Sequence, residues 1–271
     1  MSGPNTLDEA FAKARREGRG VLIPYLTAGY PRPDRFVDLA VTVLDSGADA
    51  LEIGIPFSDP LLDGPAIQRS QQRALESGVT PRDCLRYAEE VRARSEKPLL
   101  FMGAYNPILA YGPDRFCGEA ARAGVSAIIV PDLPLEEQEE LRSAAETSGL
   151  HLIQLVAPTS TPERLRHVCS TASGFVYCIS VAGVTGERAS VVSTARPLVE
   201  AVRGCTETPV AVGFGIAGPE QARQVASFAD GVIVGSALVN LVGERANENL
   251  EEAVRDFISA LRSGLAGSLV R

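Results

Sequence analysis

The sequence predicts an α/β fold, a single (β/α)8 TIM barrel over residues 1–271, with an extra N-terminal helix and a short phosphate-binding helix after strand 8. Three observations carry this. Short runs rich in Val, Ile and Leu alternate with longer stretches of helical period, the pattern of a parallel sheet buried on both faces. Eight such runs occur, each of ordinary strand length. No linker of Pro, Gly and Ser divides the chain. Eight alternating strands also suit a doubly wound open sheet, but that fold usually shows a GxGxxG turn after its first strand, and Thr27-Ala28-Gly29-Tyr30-Pro31 is unlike it.

Taken in order, a helix over 7–17 precedes the first strand, 20–27, and a helix over 34–46 leads to the second, 50–55. The remaining strands fall at 98–103, 127–131, 152–156, 175–180, 210–214 and 231–235. Helices over 81–96, 113–123, 136–148, 162–168 and 219–226 lie between them, and 248–262 closes the chain. Several open on Asp or Pro, and several stop at a glycine, as in Ser46-Gly47-Ala48 and Ala123-Gly124-Val125.

With 45% hydrophobic residues the chain can bury a large core. Its 26 Lys and Arg against 34 Asp and Glu, a formal charge of −8, argue against a nucleic-acid partner held by phosphate neutralisation. Apolar runs such as Leu99-Leu100-Phe101-Met102 fall far short of the roughly 18 residues that span a bilayer, so no membrane is expected. Residues 1–18 are charged and lack an apolar signal core, which predicts a cytoplasmic protein. The five cysteines are scattered without a CxxC pair, so free thiols are expected and neither a disulfide frame nor a metal site. His151 and His167 lie away from where barrel chemistry collects and read as structural.

In a closed barrel that chemistry collects at the C-terminal ends of the strands. Along strand two, alternation sends Leu51, Ile53 and Ile55 toward the helices and Ala50, Glu52 and Gly54 inward. A carboxylate inside a barrel is costly unless paired or hydrated, and burial raises its pKa toward values where it both takes and gives protons. Glu52 is thus a candidate general acid/base, the alternative being an interior Glu satisfied by an Arg or by backbone amides. Asp63 follows in a Pro-rich loop long enough to fold over the mouth, and would otherwise cap a helix starting near Pro65. Asp59 is weaker, since Ser58-Asp59-Pro60 is also an ordinary turn.

Three glycine segments follow the last strands: Ala182-Gly183-Val184-Thr185-Gly186, Gly213-Phe214-Gly215-Ile216 and Gly235-Ser236-Ala237. Loops seven and eight with a short helix N-terminus form the usual phosphate cradle of this fold. These segments contain no Lys or Arg, so backbone N–H groups, the Ser236 hydroxyl and the helix dipole are expected to hold the anion.

At these residues the chain resembles the tryptophan synthase alpha chain family over almost its whole length. The similarity rests on Pro24-Tyr25-Leu26-Thr27-Ala28-Gly29-Tyr30-Pro31, on Leu51 to Pro60 with Asp63-Gly64-Pro65, and on Tyr105-Asn106-Pro107, Pro131-Asp132-Leu133-Pro134, Gly183-Val184-Thr185-Gly186 and Gly213-Phe214-Gly215-Ile216. The resemblance implies a carbon–carbon lyase that splits indole-3-glycerol phosphate into indole and glyceraldehyde 3-phosphate, with no metal or cofactor in this chain. It implies Glu52 as proton shuttle and Asp63 as partner of the indole N–H. Tyr25, Tyr177 and Phe214 would wall the indole pocket, Gly186, Gly215, Gly235 and Ser236 would hold the phosphate, and Thr185 would sit on a closing loop. Asp59, Asn106 and Pro107 would meet a β chain carrying pyridoxal phosphate, in an α2β2 assembly. The family often reads Met-Thr-Tyr-Tyr-Asn-Pro where this chain has Met102-Gly103-Ala104-Tyr105-Asn106-Pro107, which removes bulk near the pocket and the expected β-chain contact. Alternatives are a free-standing lyase that supplies indole to another pathway, and a non-catalytic subunit that activates its partner.

Overall fold

The structure is a computed structural model that describes residues 5–179, 191–213, 215–246 and 248–268. The chain runs α1 (Thr6–Arg16), β1 (Val21–Thr27), α2 (Phe36–Asp45), β2 (Leu51–Gly54), α3 (Pro65–Glu76), α4 (Pro81–Arg92), β3 (Leu99–Met102), α5 (Tyr105–Tyr111), α6 (Pro113–Arg122) and β4 (Val125–Ile129). It continues through α7 (Glu139–Thr147), β5 (His151–Val156), α8 (Pro162–Ser170), β6 (Val176–Ile179), α9 (Val191–Arg203), β7 (Val210–Gly213), α10 (Pro219–Ala226), β8 (Gly231–Val234), α11 (Ser236–Glu244) and α12 (Leu250–Gly264). The eight strands pair in parallel in chain order, and β8 returns to β1, so the sheet closes.

Strand alternation divides the core into two shells. Leu51, Ile53, Leu99, Phe101 and Ile128 point outward and pack under the helices. Val21, Ile23, Ala50, Leu100, Ala127, Ile129, Ile153, Phe175 and Ile233 point inward and fill the barrel. α1 stoppers the N-terminal end: Leu7, Phe11 and Ala14, spaced along one helical face, join the inner shell, and the Phe11 ring lies 5.6 Å from that of Phe175. Asn5 Oδ1 accepts the Leu7 N–H, capping α1, while its Nδ2 donates to the Ser126 and Gly149 carbonyls beneath β4 and β5. At the same end Asp49 accepts both Arg19 terminal nitrogens at 2.8 Å, the Leu22 N–H at 2.9 Å and Arg262 at 3.2 Å. The N-terminal end is therefore closed and braced.

β4 begins at Val125, two residues earlier than the sequence predicts, because the chain leaves α6 through Gly124 at φ +83° and enters the sheet at once. A Cβ at Gly124 would lie 2.6 Å from Arg92, whose guanidinium donates to the Gly124 carbonyl. Tyr105-Asn106-Pro107 is the first turn of α5, a helix that the sequence reading does not include. Pro107 has no hydrogen bond to lose there, and the N-terminus is capped from a distance: the Asp132 carboxylate accepts the Tyr105 N–H at 2.9 Å. Four of the cysteines are buried and Cys205 is exposed, all of them free. His151 starts β5 and bonds Asp8 at 3.0 Å, below the barrel floor.

Candidate active site

β2 carries Glu52 into the C-terminal mouth, in register with Tyr25 of β1 and Leu100 of β3. The side chain is 1% exposed, and its Oε2 finds no hydrogen-bond partner among the described residues. Burial, and then the charge of Asp63, raise its pKa from 4.5 to about 8, so Glu52 rests protonated at neutral pH. A buried carboxyl with one oxygen unsatisfied is expensive, and here it borders a cavity of about 210 Å³.

Two tyrosines flank it. A Cβ at Gly54 would fall 2.0 Å from the Tyr25 hydroxyl, and one at Gly213 would fall 2.3 Å from the Tyr177 hydroxyl. Each strand-end glycine is thus the space that a tyrosine occupies. The direction of the Tyr25 hydroxyl follows from its neighbours. Ser70 gives its proton to the Ile67 carbonyl, so Thr27 must donate to Ser70, at 2.6 Å, and Tyr25 to Thr27, at 3.2 Å. Burial raises the pKa of both tyrosines, which stay neutral.

Asp63 does not cap α3; Gly64 holds that position. Its Oδ2 accepts a 2.6 Å hydrogen bond from Gln71, and its carboxyl is half-buried. Burial raises its pKa, the Gln71 donor opposes this, and the Asp132 charge adds to the rise.

The cavity is also lined by Gly215, Gly235, Ser236 and Asn240. Gly215 turns the chain at φ +77°, a left-handed value that suits glycine. α11 starts at Ser236, and among the described residues no side-chain cap is made at its N-cap, Gly235, the kind of helix start that suits an anion. Arg69 of α3, an exposed residue outside the cavity lining, donates to Asn240 at 3.3 Å. Ile67, Met102 and Ile233 supply apolar lining to the same cavity.

Glu52, Tyr25, Tyr177, Gly215, Gly235 and Ser236 therefore surround one cavity. Asp63 is not part of its lining, but it is tied to Gln71 and lies near enough for its charge to act on Glu52, Tyr25 and Tyr177. Thr185, Gly186 and Phe214 lie outside the described residues. Asp59 is exposed on the loop after β2 and Asn106 is exposed in the first turn of α5 after β3, with Pro107 half-buried beside it, and none of the three lines the cavity. The sequence reading missed Gln71, Thr27, Ser70 and Asn240. Ser70 and Gln71 did leave a signal, since both interrupt the buried face of α3 formed by Ala66, Ile67 and Ala74. Among the described residues no cluster of His, Cys, Asp and Glu is placed to hold a metal, and no helix is long and apolar enough to cross a membrane.

Fold and site together define a class: a closed (β/α)8 barrel whose cavity is lined by a buried carboxyl with a raised pKa and by the start of a short helix after β8. A sequence profile for the tryptophan synthase alpha chain matches residues 11–265. The chain belongs to that family, the alpha subunit of tryptophan biosynthesis. It is 46% identical to the tryptophan synthase alpha chain of Chloroflexus aggregans, across 94% of this chain and 98% of the relative, and 45% identical to that of Geotalea uraniireducens, across 94% and 96%. Among solved structures, tryptophan synthase subunit alpha from Legionella pneumophila str. Paris superposes with a TM-score of 0.90 at 37% identity, over 97% of this chain and 98% of that one. Tryptophan synthase from M. tuberculosis in its aminoacrylate-bound form gives 0.88 at 37% identity, over 97% and 100%.

Proposed function

We propose that the chain is a lyase that cleaves indole-3-glycerol phosphate to indole and glyceraldehyde 3-phosphate. The observation that carries this is Glu52, buried and protonated at the mouth with one oxygen unsatisfied against the cavity. The reaction exchanges two protons: C3 of the indole gains one, and the hydroxyl on the adjacent glycerol carbon loses one. Glu52 in its resting form gives its proton to C3, leaving the ring a cationic indolenine. The Asp63 carboxylate accepts the ring N–H and stabilises that charge. The Glu52 carboxylate then takes the hydroxyl proton as the C3 to side-chain bond breaks, its electron pair restoring the indole ring and the oxygen closing to an aldehyde. Glu52 ends protonated, ready for another turn. Tyr25, Tyr177, Met102 and Ile233 exclude water around the ring, and the phosphate rests on the first turn of α11 with Gly215, Gly235 and Ser236. Phe214 would complete the ring pocket, and Thr185 and Gly186 would close the phosphate end.

No step of this chemistry requires a metal or an organic cofactor in the chain. Pyridoxal phosphate belongs to the β chain that consumes the indole, in a cytoplasmic α2β2 assembly built on a single barrel domain per α chain. Support for a docking face comes from the rim beside the mouth. Leu61 is 92% exposed, Leu62 59% and Leu109 48%, on the adjoining loop and helix that also carry Asp59, Asn106 and Pro107.

The test is indole release from indole-3-glycerol phosphate by the purified chain, alone and with a tryptophan synthase β chain. Slow turnover that the β chain raises manyfold is the expected result. Fast turnover indifferent to the β chain would make the protein a free-standing indole producer, and no turnover in either case would overturn the lyase assignment.

A further inference from the structure

Gln71 belongs to no motif and is not a surface residue. It is 4% exposed, on the buried face of α3. Its amide makes two short hydrogen bonds, Oε1 accepting the Phe57 N–H at 3.0 Å and Nε2 donating to Asp63 Oδ2 at 2.6 Å, and it also lies near enough to the Tyr25 hydroxyl to act on it. The first partner only donates and the second, when ionised, only accepts, so together they fix which way the amide is turned. Phe57 and Asp63 are the near and far ends of the loop that links Glu52 to α3, and one buried side chain staples both. Asp63 Oδ1 takes no hydrogen bond among the described residues.

We infer that Gln71 is a positioning residue for the reaction proposed above, on which this inference rests: it holds Asp63 by one oxygen beside the cavity residues Glu52, Tyr25 and Tyr177 and leaves the other for the substrate's ring N–H. Its donated hydrogen bond also favours the ionised carboxylate, which burial and the Asp132 charge oppose. Gln68, one turn earlier, supplies the contrast. It is exposed and bonds only backbone oxygens of the same loop, Pro60 at 3.3 Å and Asp63 at 2.8 Å. Gln68 guides the path of the loop; Gln71 aims the carboxylate.

The experiment compares Gln71→Met, Gln71→Glu and Gln68→Met with the wild type in the complex with a β chain. It reads kcat and KM for indole-3-glycerol phosphate against pH, and, without substrate, the NMR titration of the Asp63 carboxyl carbon. Gln71→Met is expected to lower kcat about tenfold with KM within about threefold, to move the acid limb of the profile up by about one pH unit, and to move the Asp63 titration the same way. Gln71→Glu keeps the shape and the Phe57 bond while setting a second carboxyl against Asp63. It carries the test if the Met variant fails to fold, and its acid limb also moves up. Gln68→Met is expected to leave the limb and the titration in place. An unchanged Asp63 titration in both Gln71 variants, or an equal displacement in Gln68→Met, would overturn the inference. A wild type that cleaves nothing while Asp63 still responds to Gln71 would instead overturn the lyase reading and leave the positioning role standing.

Discussion

At the scale of single residues, Glu52 is held where ionisation is costly, and that cost has a measurable sign. Its pKa in the folded chain is about 8 against an ordinary 4.5, so the folded state keeps a proton that the unfolded chain releases. The stability this group contributes is complete below pH 4.5 and is lost as pH rises through about 8, at ~1.4 kcal/mol per unit between those values. Glu52→Gln ionises nowhere. Its midpoint of thermal unfolding should exceed the wild type's by a margin that widens between those two pH values and then levels off; a margin independent of pH would contradict the burial argument. The inward direction of Glu52 was legible from strand alternation alone, because a period of two leaves only two faces and the branched apolar trio claims one. Gln71 was not legible as a partner of Asp63, since eight residues of helix and loop geometry decide that contact and no local pattern encodes it.

Among elements, the strand ends and α3 do the positioning. Gly54 and Gly213 are vacancies filled by tyrosine hydroxyls from other strands, so their role belongs to the closed sheet and not to their own turns. Gly54→Ala should drive Tyr25 out of its place and lower kcat/KM at least about a hundredfold, while costing ~1–3 kcal/mol in denaturant unfolding, the usual scale of overpacking. Activity within a few-fold of wild type would mean that the Tyr25 position is not needed. Strands and most helices were readable because buried parallel strands and amphipathic helices have distinct periods, with Gly and Pro at their joints. α5 was not: its cap comes from Asp132, 27 residues away, and Pro107 reads as a breaker unless the helix start is already known.

For the whole molecule, the barrel separates its duties by end. α1 and the Arg19, Asp49 and Arg262 cluster shut the N-terminal end, so the remaining space opens at the C-terminal mouth, where Glu52 and the start of α11 bound one cavity. Closure itself is not written in any one segment; the sequence shows eight strands and the lack of a dinucleotide turn, and only the pairing of β8 with β1 makes the ring. The central claim is that a protonated Glu52 starts cleavage of indole-3-glycerol phosphate while Asp63 is ionised. The most direct test is the pH profile of kcat/KM for indole release, in the wild type and in Glu52→Gln, each with a β chain. The account predicts a bell whose alkaline limb falls near the Glu52 value of about 8 and whose acid limb reports Asp63. It predicts a loss of about a thousandfold in Glu52→Gln across the profile. Activity that keeps rising through the alkaline limb, or a Gln variant within tenfold of wild type, would contradict it.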